Sequence, residues 1–169
     1  SNENMRRLAA RQIESLEKDI AAETDPMRRA YELGQVADLD GRLDEALVGY
    51  EAALGASPDR ADILLAVADV HARKGDFAAA IARADEAATL EPESAIAWLN
   101  LGVYHADTRD FAAAEAAFRR ARTLAPKWPK ACLNHGRSLE VLRRKPEAAA
   151  VYEQCLVEVP LNDLDARRD

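Results

Sequence analysis

A spacing of 34 residues runs through this chain and restricts its possible folds more than any other feature. Pro58, Pro92, Pro126 and Pro160 fall at this constant interval, and small residues repeat with the same period. A segment of this length has room for two short helices and two turns, and a fixed period in this range is typical of stacked repeat proteins. We therefore expect a repeat fold.

The segment 95–128 shows how one repeat is built. Its apolar residues form two groups at helical spacing, separated by a turn at residues 108–110. Gly102 and Ala114 lie where the two helices are expected to cross, and small side chains there permit close approach of the helix axes. The sequence therefore predicts helical hairpins at 27–60, 61–94, 95–128 and 129–162.

The residues of this segment resemble the tetratricopeptide repeat. The family pattern of Trp, Leu-Gly, Ala, an aromatic residue, Ala and Pro is matched here by Trp98, Leu101, Gly102, Ala114, Phe118, Ala121 and Pro126. The usual Tyr of the pattern is replaced by His105, and Tyr104 stands one position early. The resemblance covers residues 27–162 and implies an all-α fold, a right-handed α-solenoid of stacked antiparallel helix hairpins.

Turn signals lie inside the predicted hairpins. They are Asp40-Gly41, Gly75-Asp76 and Arg109-Asp110. In the fourth hairpin, Pro129 and Pro146 suit the first turns of the two helices, where a missing amide hydrogen costs nothing.

The N-terminal segment 1–26 is predicted to contain an amphipathic helix at residues 3–23. We interpret this helix as a cap on the first hairpin, and the tail of an upstream segment or a dimerisation helix remain alternatives. Ser1 and Asn2 resemble the remnant that a protease leaves after tag removal, so an upstream signal peptide stays open.

At the other end, arrays of this family usually finish with an extra helix that covers the last hairpin. Residues 162–169, which include the short tail 163–169, are too few for such a helix, so Leu156 and Val159 are expected to be exposed. Either the natural chain continues, or another copy of the protein covers that surface.

The resemblance also implies a binding surface. In the family, the first helices line a hollow that holds a partner's extended peptide or helix, through positions two, five, six, nine, twelve and thirteen of each unit. The corresponding candidate residues are Tyr31, Gln35, Asp38, Asp62, Leu65, Asp69, Ile96, Leu99, Asn100, Val103, Lys130, Leu133, Asn134 and Arg137. We expect their apolar members to receive apolar side chains, and Lys130 with Arg137 to bind a carboxylate. Alternatively, these apolar residues pack on neighbouring helices, or the N-terminal helix fills the hollow.

The predicted function is therefore a protein-interaction module that binds a peptide or helix, as an adaptor or scaffold. Two alternatives stay open: a scaffold that self-assembles through its C-terminal end or its N-terminal helix, and the regulatory arm of a larger enzyme. A clamp for the carboxylate of chaperone tails is not expected. Asn100 and Lys130 match that family variant, but Leu65 and Asp69 stand where it has Lys and Asn.

Composition and charge restrict the remaining classes. The net charge of −7 argues against nucleic acid as a partner, because phosphate binding needs a basic face. No run of eighteen apolar residues occurs, so no membrane span is encoded. Frequent Ala and Arg are typical of bacterial proteins. We favour the cytoplasm, and the periplasm stays open if an upstream signal has been removed.

No catalytic residue, cofactor or metal site is predicted. Cys132 and His135 share a helix face, where a thiol beside an imidazole can be a nucleophile, but both fall at positions that pack the hairpin. His71 and His105 alone would make a poor metal site. Glu115 is expected on a solvated outer face.

The two cysteines, Cys132 and Cys155, face one another across the fourth hairpin. A disulfide between them is geometrically conceivable. We favour buried free thiols, because free Cys behaves as a small hydrophobic residue and is often buried.

Overall fold

The computed structural model describes residues 2–158, and all regular structure in this range is α-helical. The helices are α1 (Asn2–Ala22), α2 (Pro26–Leu39), α3 (Leu43–Ala56), α4 (Ala61–Arg73), α5 (Phe77–Leu90), α6 (Ala95–Asp107), α7 (Phe111–Leu124), α8 (Pro129–Val141) and α9 (Lys145–Glu158). None of these described helices is long and apolar enough to cross a membrane. The predictions for Ser1, Val159, Pro160 and the tail 163–169 lie outside the described residues.

The chain forms two compact units, and their boundary falls inside α5. Within the described range, unit 1 is residues 2–83 and unit 2 is residues 84–158. In unit 1, α1 packs on α2, α2 packs on α3, and α3 packs on α4. In unit 2, α6 packs on α7, α7 on α8, and α8 on α9. In each of these pairs a helix packs on the helix that follows it in sequence, as the helical pattern predicts.

In three hairpins, an aromatic ring lies directly over a glycine of the facing helix. The pairs are Gly34 with Tyr50, Gly102 with Phe118, and Gly136 with Tyr152. A Cβ atom on these glycines would stand between 2.2 and 2.7 Å from the nearest ring atom, which is too close for two carbon atoms. Any larger residue would therefore push the two helices apart.

The ring hydroxyl groups at these crossings have carboxylate partners. Tyr50 donates a hydrogen bond to Asp38 at 2.9 Å, and three repeats later Tyr152 donates to Glu140 at 3.1 Å. In the third hairpin, where the ring is a phenylalanine, the position of the carboxylate is held by Ala106. Burial is the main cause that raises the pKa of Tyr50, so the hydroxyl keeps its proton and donates. A tyrosine at this position is therefore accompanied by a carboxylate on the facing helix, and the phenylalanine is accompanied by an alanine.

The two helices of each hairpin are joined through a residue in the left-handed backbone region. These residues are Gly41 (φ 77°), Gly75 (φ 82°), Arg109 (φ 64°) and Arg143 (φ 63°). The next amide closes the helix end: in the first hairpin, the Arg42 amide donates to the Ala37 carbonyl at 2.8 Å. The predicted turns are therefore formed, with glycine at this position in unit 1 and arginine in unit 2.

Candidate functional site

An apolar cavity of about 270 Å³ lies in unit 2 between α6, α7 and α8. We call it the unit 2 cavity, and its lining is Val103, Ala106, Asp107, Phe111, Phe118, Asn134, Arg137, Ser138 and Val141. Val141 is exposed at the edge of the cavity, and Phe118 is buried. An apolar cavity with a few polar groups around it is the usual form of a site that binds one side chain or a small ligand.

Three residues of the predicted binding surface lie in this cavity: Val103, Asn134 and Arg137. The prediction omitted Ala106, Asp107 and Val141, which also line it. These three occupy the twelfth or thirteenth position of their repeat, so the family's contact positions, applied to the third and fourth repeats, would have identified them. Phe111 and Phe118 come from the second helix of the third hairpin, and the first-helix positions could not have found them.

Two cations on α8 have no ion-pair partner within the described part of the chain. Arg137 and Lys130 are both exposed, and within residues 2–158 neither forms an ion pair or a side-chain hydrogen bond. Arg137 borders the unit 2 cavity together with the Asn134 side chain. The cavity thus combines an apolar interior with an available guanidinium and an amide at its rim.

The predicted role of Leu99 in this surface is wrong. Its side chain is 1% exposed and belongs to a core cluster with Ala114, Phe118, Ala121 and Ala131. The reason is that the side of α6 that carries Leu99 faces α7 and Ala131 of α8, so this side chain lies in the core. Val103 packs against the edge of the same core while it lines the cavity.

The other predicted residues of unit 2 lie outside the cavity. Ile96 is exposed, and Asn100 and Leu133 are half-buried. Their assignment to a partner-binding surface stays a prediction.

In unit 1, the predicted residues lie next to the N-terminal helix. Gln35 and Asp38 border a second cavity, of about 470 Å³, whose opposite wall is formed by residues 12, 15 and 16 of α1. Tyr31 packs on Tyr50 with ring centroids 5.6 Å apart, and Leu65 is half-buried. Since α1 lies against the predicted lining of the first hairpin, unit 1 favours the alternative in which this helix occupies part of that surface.

The acidic residues predicted in unit 1 are neutralised within the chain. Arg73 forms ion pairs with Asp38 and, at 2.9 Å, with Asp69. Arg60 pairs with Asp62 at 2.7 Å, and the hydrogen bond from Arg60 is the main cause that lowers the pKa of Asp62. These aspartates therefore do not form a free acidic surface for a basic partner.

The expectation that Glu115 lies on a solvated face is wrong, because α7 packs its carboxylate against α8. Glu115 is buried, and its Oε1 lies 2.9 Å from Nε2 of the buried His135. Arg122 donates from Nε to the His135 Nδ1 atom at 3.0 Å, so Nε2 is the nitrogen that carries the proton and donates to Glu115. Burial lowers the pKa of His135, which keeps the imidazole neutral.

The preference for free thiols is also wrong, since the structure joins Cys132 and Cys155 in a disulfide bond. Their Cα atoms are 6.0 Å apart, within the range that a disulfide spans. With its sulfur bonded, Cys132 offers no thiol for His135 to activate, and His135 instead bonds Glu115 and Arg122. Among the residues that the structure describes, no group of three or more His, Cys, Asp or Glu side chains could hold a metal ion.

Many solved structures resemble this fold, and three of them illustrate the similarity. The crystal structure of MamA is 17% identical with a TM-score of 0.77, and the match covers 92% of this chain and 89% of MamA. The first TPR of Spaghetti (RPAP3) bound to the HSP90 peptide SRMEEVD is 20% identical with a TM-score of 0.67, over 72% of this chain and 96% of that one. The Arabidopsis OM64 TPR domain is 20% identical with a TM-score of 0.63, over 68% and 94%.

These similarities confirm the predicted all-helical fold class. Comparison with curated proteins by sequence gives no significant match. The family model for the tetratricopeptide repeat matches residues 31–93 and 65–131, which together cover more than half of the chain. The chain therefore belongs to the tetratricopeptide repeat family.

Proposed function

We propose that this chain is a protein-interaction module that binds an extended segment of a partner protein at the unit 2 cavity. Membership of the tetratricopeptide repeat family supports a role in protein binding, and one structure of similar fold holds a bound peptide. The role is that of an adaptor or scaffold, without a catalytic step.

The observation that carries this proposal is an apolar cavity next to a cation that has no ion-pair partner among residues 2–158. The cavity volume of about 270 Å³ accommodates one large apolar side chain, which would contact Val103, Phe111 and Val141. Arg137 at the rim can form a charge-assisted hydrogen bond with a carboxylate beside that side chain. The preferred partner segment thus carries a large apolar residue next to Asp, Glu or a C-terminal carboxylate.

Lys130, which is also unpaired among the described residues, extends this preference along α8. Lys130 precedes Arg137 by two helical turns, which places it on the same side of the helix at a distance of roughly 10 Å. A second acidic group on the partner can pair with this ammonium. Asn134 lies between the two cations in sequence and can bond the partner's main chain.

The experiment is a selection from a random peptide library, followed by calorimetric titration of the enriched sequences. We expect enrichment of a large apolar residue next to an acidic one. Arg137→Glu should weaken binding of these peptides by about tenfold or more, because hydrogen bonds to charged groups contribute about 1.5–3 kcal/mol. Val141→Glu should weaken binding as well, since it places a carboxylate at the edge of the apolar cavity.

Arg120→Glu is the matched control, because this exposed arginine of α7 lies outside the cavity and the substitution changes the charge equally. It should leave affinity within about twofold. The proposal is refuted if the selected peptides show no acidic and apolar preference, or if Arg137→Glu binds them as tightly as the unaltered chain.

A further inference from the structure

We infer that copies of this chain associate head to tail, with the exposed side of α9 in one copy packing on the exposed side of the first hairpin in the next. The receiving surface, which we call the open face, consists of Ala30, Leu33, Val48 and Ala52 on α2 and α3. These residues border an apolar groove of about 400 Å³. Leu33 is 51% exposed and Val48 is 71% exposed.

Unit 2 shows what covers the same face of an inner repeat. Three repeats after Leu33 and Ala52 stand His135 and Gln154 of the fourth hairpin. Arg122 of α7 hydrogen-bonds both of them, each at 3.0 Å. The face is therefore covered by the second helix of the preceding hairpin, and position 28 of that hairpin, held by Arg122, makes the contact.

Unit 1 shows an apolar version of the same junction, where α3 packs on α4. Two repeats before Arg122 and His135 stand Leu54 and Val67, and both are buried. At this junction both residues are polar in unit 2, where they are Arg122 and His135. Both are apolar in unit 1, where they are Leu54 and Val67. This matching follows from the cost of burying a polar group against an apolar one.

The helix that can continue this stacking onto the open face is α9. One repeat after Arg122 stands Leu156, which is 60% exposed on α9. By the contacts seen at the inner junction, Leu156 of one copy would meet Leu33 and Ala52 of the next. All three are apolar, so they match as the inner pairs do and remove apolar surface from water.

The helix α1 does not fill the open face. Its residues Gln12 and Leu16 border the separate cavity beside Gln35 and Asp38, and the groove at Leu33 stays open. The backbones of α2 and α3 are in close contact beneath that groove, since a Cβ atom on Gly49 would stand 2.5 Å from the backbone of α2. The face is thus a preformed surface on which a further helix can pack.

The two surfaces differ, so each copy carries one donor face and one acceptor face. Association of this kind is heterologous and yields rings or open filaments instead of a closed twofold dimer. The inference is independent of peptide binding, because neither Leu33 nor Leu156 lies at the unit 2 cavity.

The test is sedimentation velocity over a range of concentrations. The unaltered chain should form a concentration-dependent series that extends beyond the dimer. Leu33→Glu and Leu156→Glu should each weaken association at least tenfold, because each places a charge in the contact. An equimolar mixture of the two variants should form dimers and nothing larger, since each variant retains one intact face.

Leu90→Glu is the matched control, with a leucine of similar exposure (41%) outside both surfaces, and it should associate as the unaltered chain does. Circular dichroism establishes that each variant keeps its helix content. An unaltered chain that stays monomeric at the highest concentration overturns the inference. So does a mixture of the two variants that stays monomeric, or a single variant that dimerises as strongly as the unaltered chain.

Discussion

Both units consist of packed helix pairs, but they differ in whether the charged side chains of the predicted binding surface are ion-paired. In unit 1, the aspartates of the predicted binding surface are held by Arg60 and Arg73. In unit 2, Lys130 and Arg137 have no ion-pair partner among residues 2–158, and Arg137 lies beside an apolar cavity. A charged side chain that is already ion-paired within the chain contributes little to binding a partner. An unpaired charged side chain can form a new ion pair or hydrogen bond with the partner. The comparison therefore favours unit 2 as the site of recognition.

The units also differ in their interiors. Where unit 1 has Ala30 and Ala53, the fourth hairpin in unit 2 has the disulfide between Cys132 and Cys155. The position of the apolar Val67 is occupied in unit 2 by His135. Redox state and pH should therefore change the stability of unit 2 and leave unit 1 nearly unaffected.

Of the changes considered, reduction of the disulfide should alter the stability of unit 2 relative to unit 1 the most. The bond joins residues separated by 23 positions, and a loop of this size contributes about 3 kcal/mol to the free energy of unfolding. Trp98 and Trp128 both pack in the core of unit 2, so tryptophan fluorescence during urea unfolding reports on that unit. Hydrogen exchange of unit 1 amides provides the comparison.

The double variant Cys132→Ala/Cys155→Ala is the control for the reductant, which should not change its unfolding curve. If both cysteines of the unaltered chain react with a thiol reagent after denaturation without reductant, the disulfide is absent and the predicted difference between the two interiors is contradicted. That difference is also contradicted if reduction shifts unit 1 as much as unit 2.

Acidification should have a smaller effect, again in unit 2. Burial lowers the pKa of His135 in the folded chain below its ordinary value of 6.5, so below that pH the unfolded chain takes up a proton that the folded chain does not. The free energy of unfolding should therefore fall as pH drops below about 6.5, by at most about 1.4 kcal/mol per pH unit. Urea unfolding followed by tryptophan fluorescence at several pH values measures this slope.

His135→Gln should flatten that slope, and His105→Gln is the matched histidine variant outside the buried network. A slope that persists unchanged in His135→Gln would show that another group causes it. The polar junction of unit 2 would then not be the pH-dependent element.

Exchanging the turn residues between the units should have the smallest effect. The left-handed conformation costs a residue other than glycine about 1–2 kcal/mol, but glycine loses about 0.5–1 kcal/mol more on folding. Arg143→Gly should therefore stabilise unit 2 by about 0.5 kcal/mol, and Gly41→Arg should destabilise unit 1 by a similar amount. Thermal unfolding of both variants measures the two shifts, and shifts of the opposite sign would contradict this account of the turns.

Much of the fold could be predicted because its signals are local. The turns at Gly41 and Arg109 and the close crossing at Gly102 were visible as turn residues and small residues at a fixed interval. The burial of Leu99 was only an alternative at the level of the sequence, because the family positions do not show which neighbouring helix covers a given side chain in this chain. Glu115 was missed for the same reason, since its partner His135 comes from the next hairpin.

The amino-acid sequence by itself determined the repeat length, the helices and the turns, because these depend on backbone preferences and on side-chain size at neighbouring positions. Only the tertiary structure decided which charges are paired, which polar groups are buried and where a cavity opens. The physical reason is that these properties depend on contacts between helices that are distant in sequence. Arg73 and Asp38 illustrate this: their ion pair joins two helices, and no spacing within either helix indicates it.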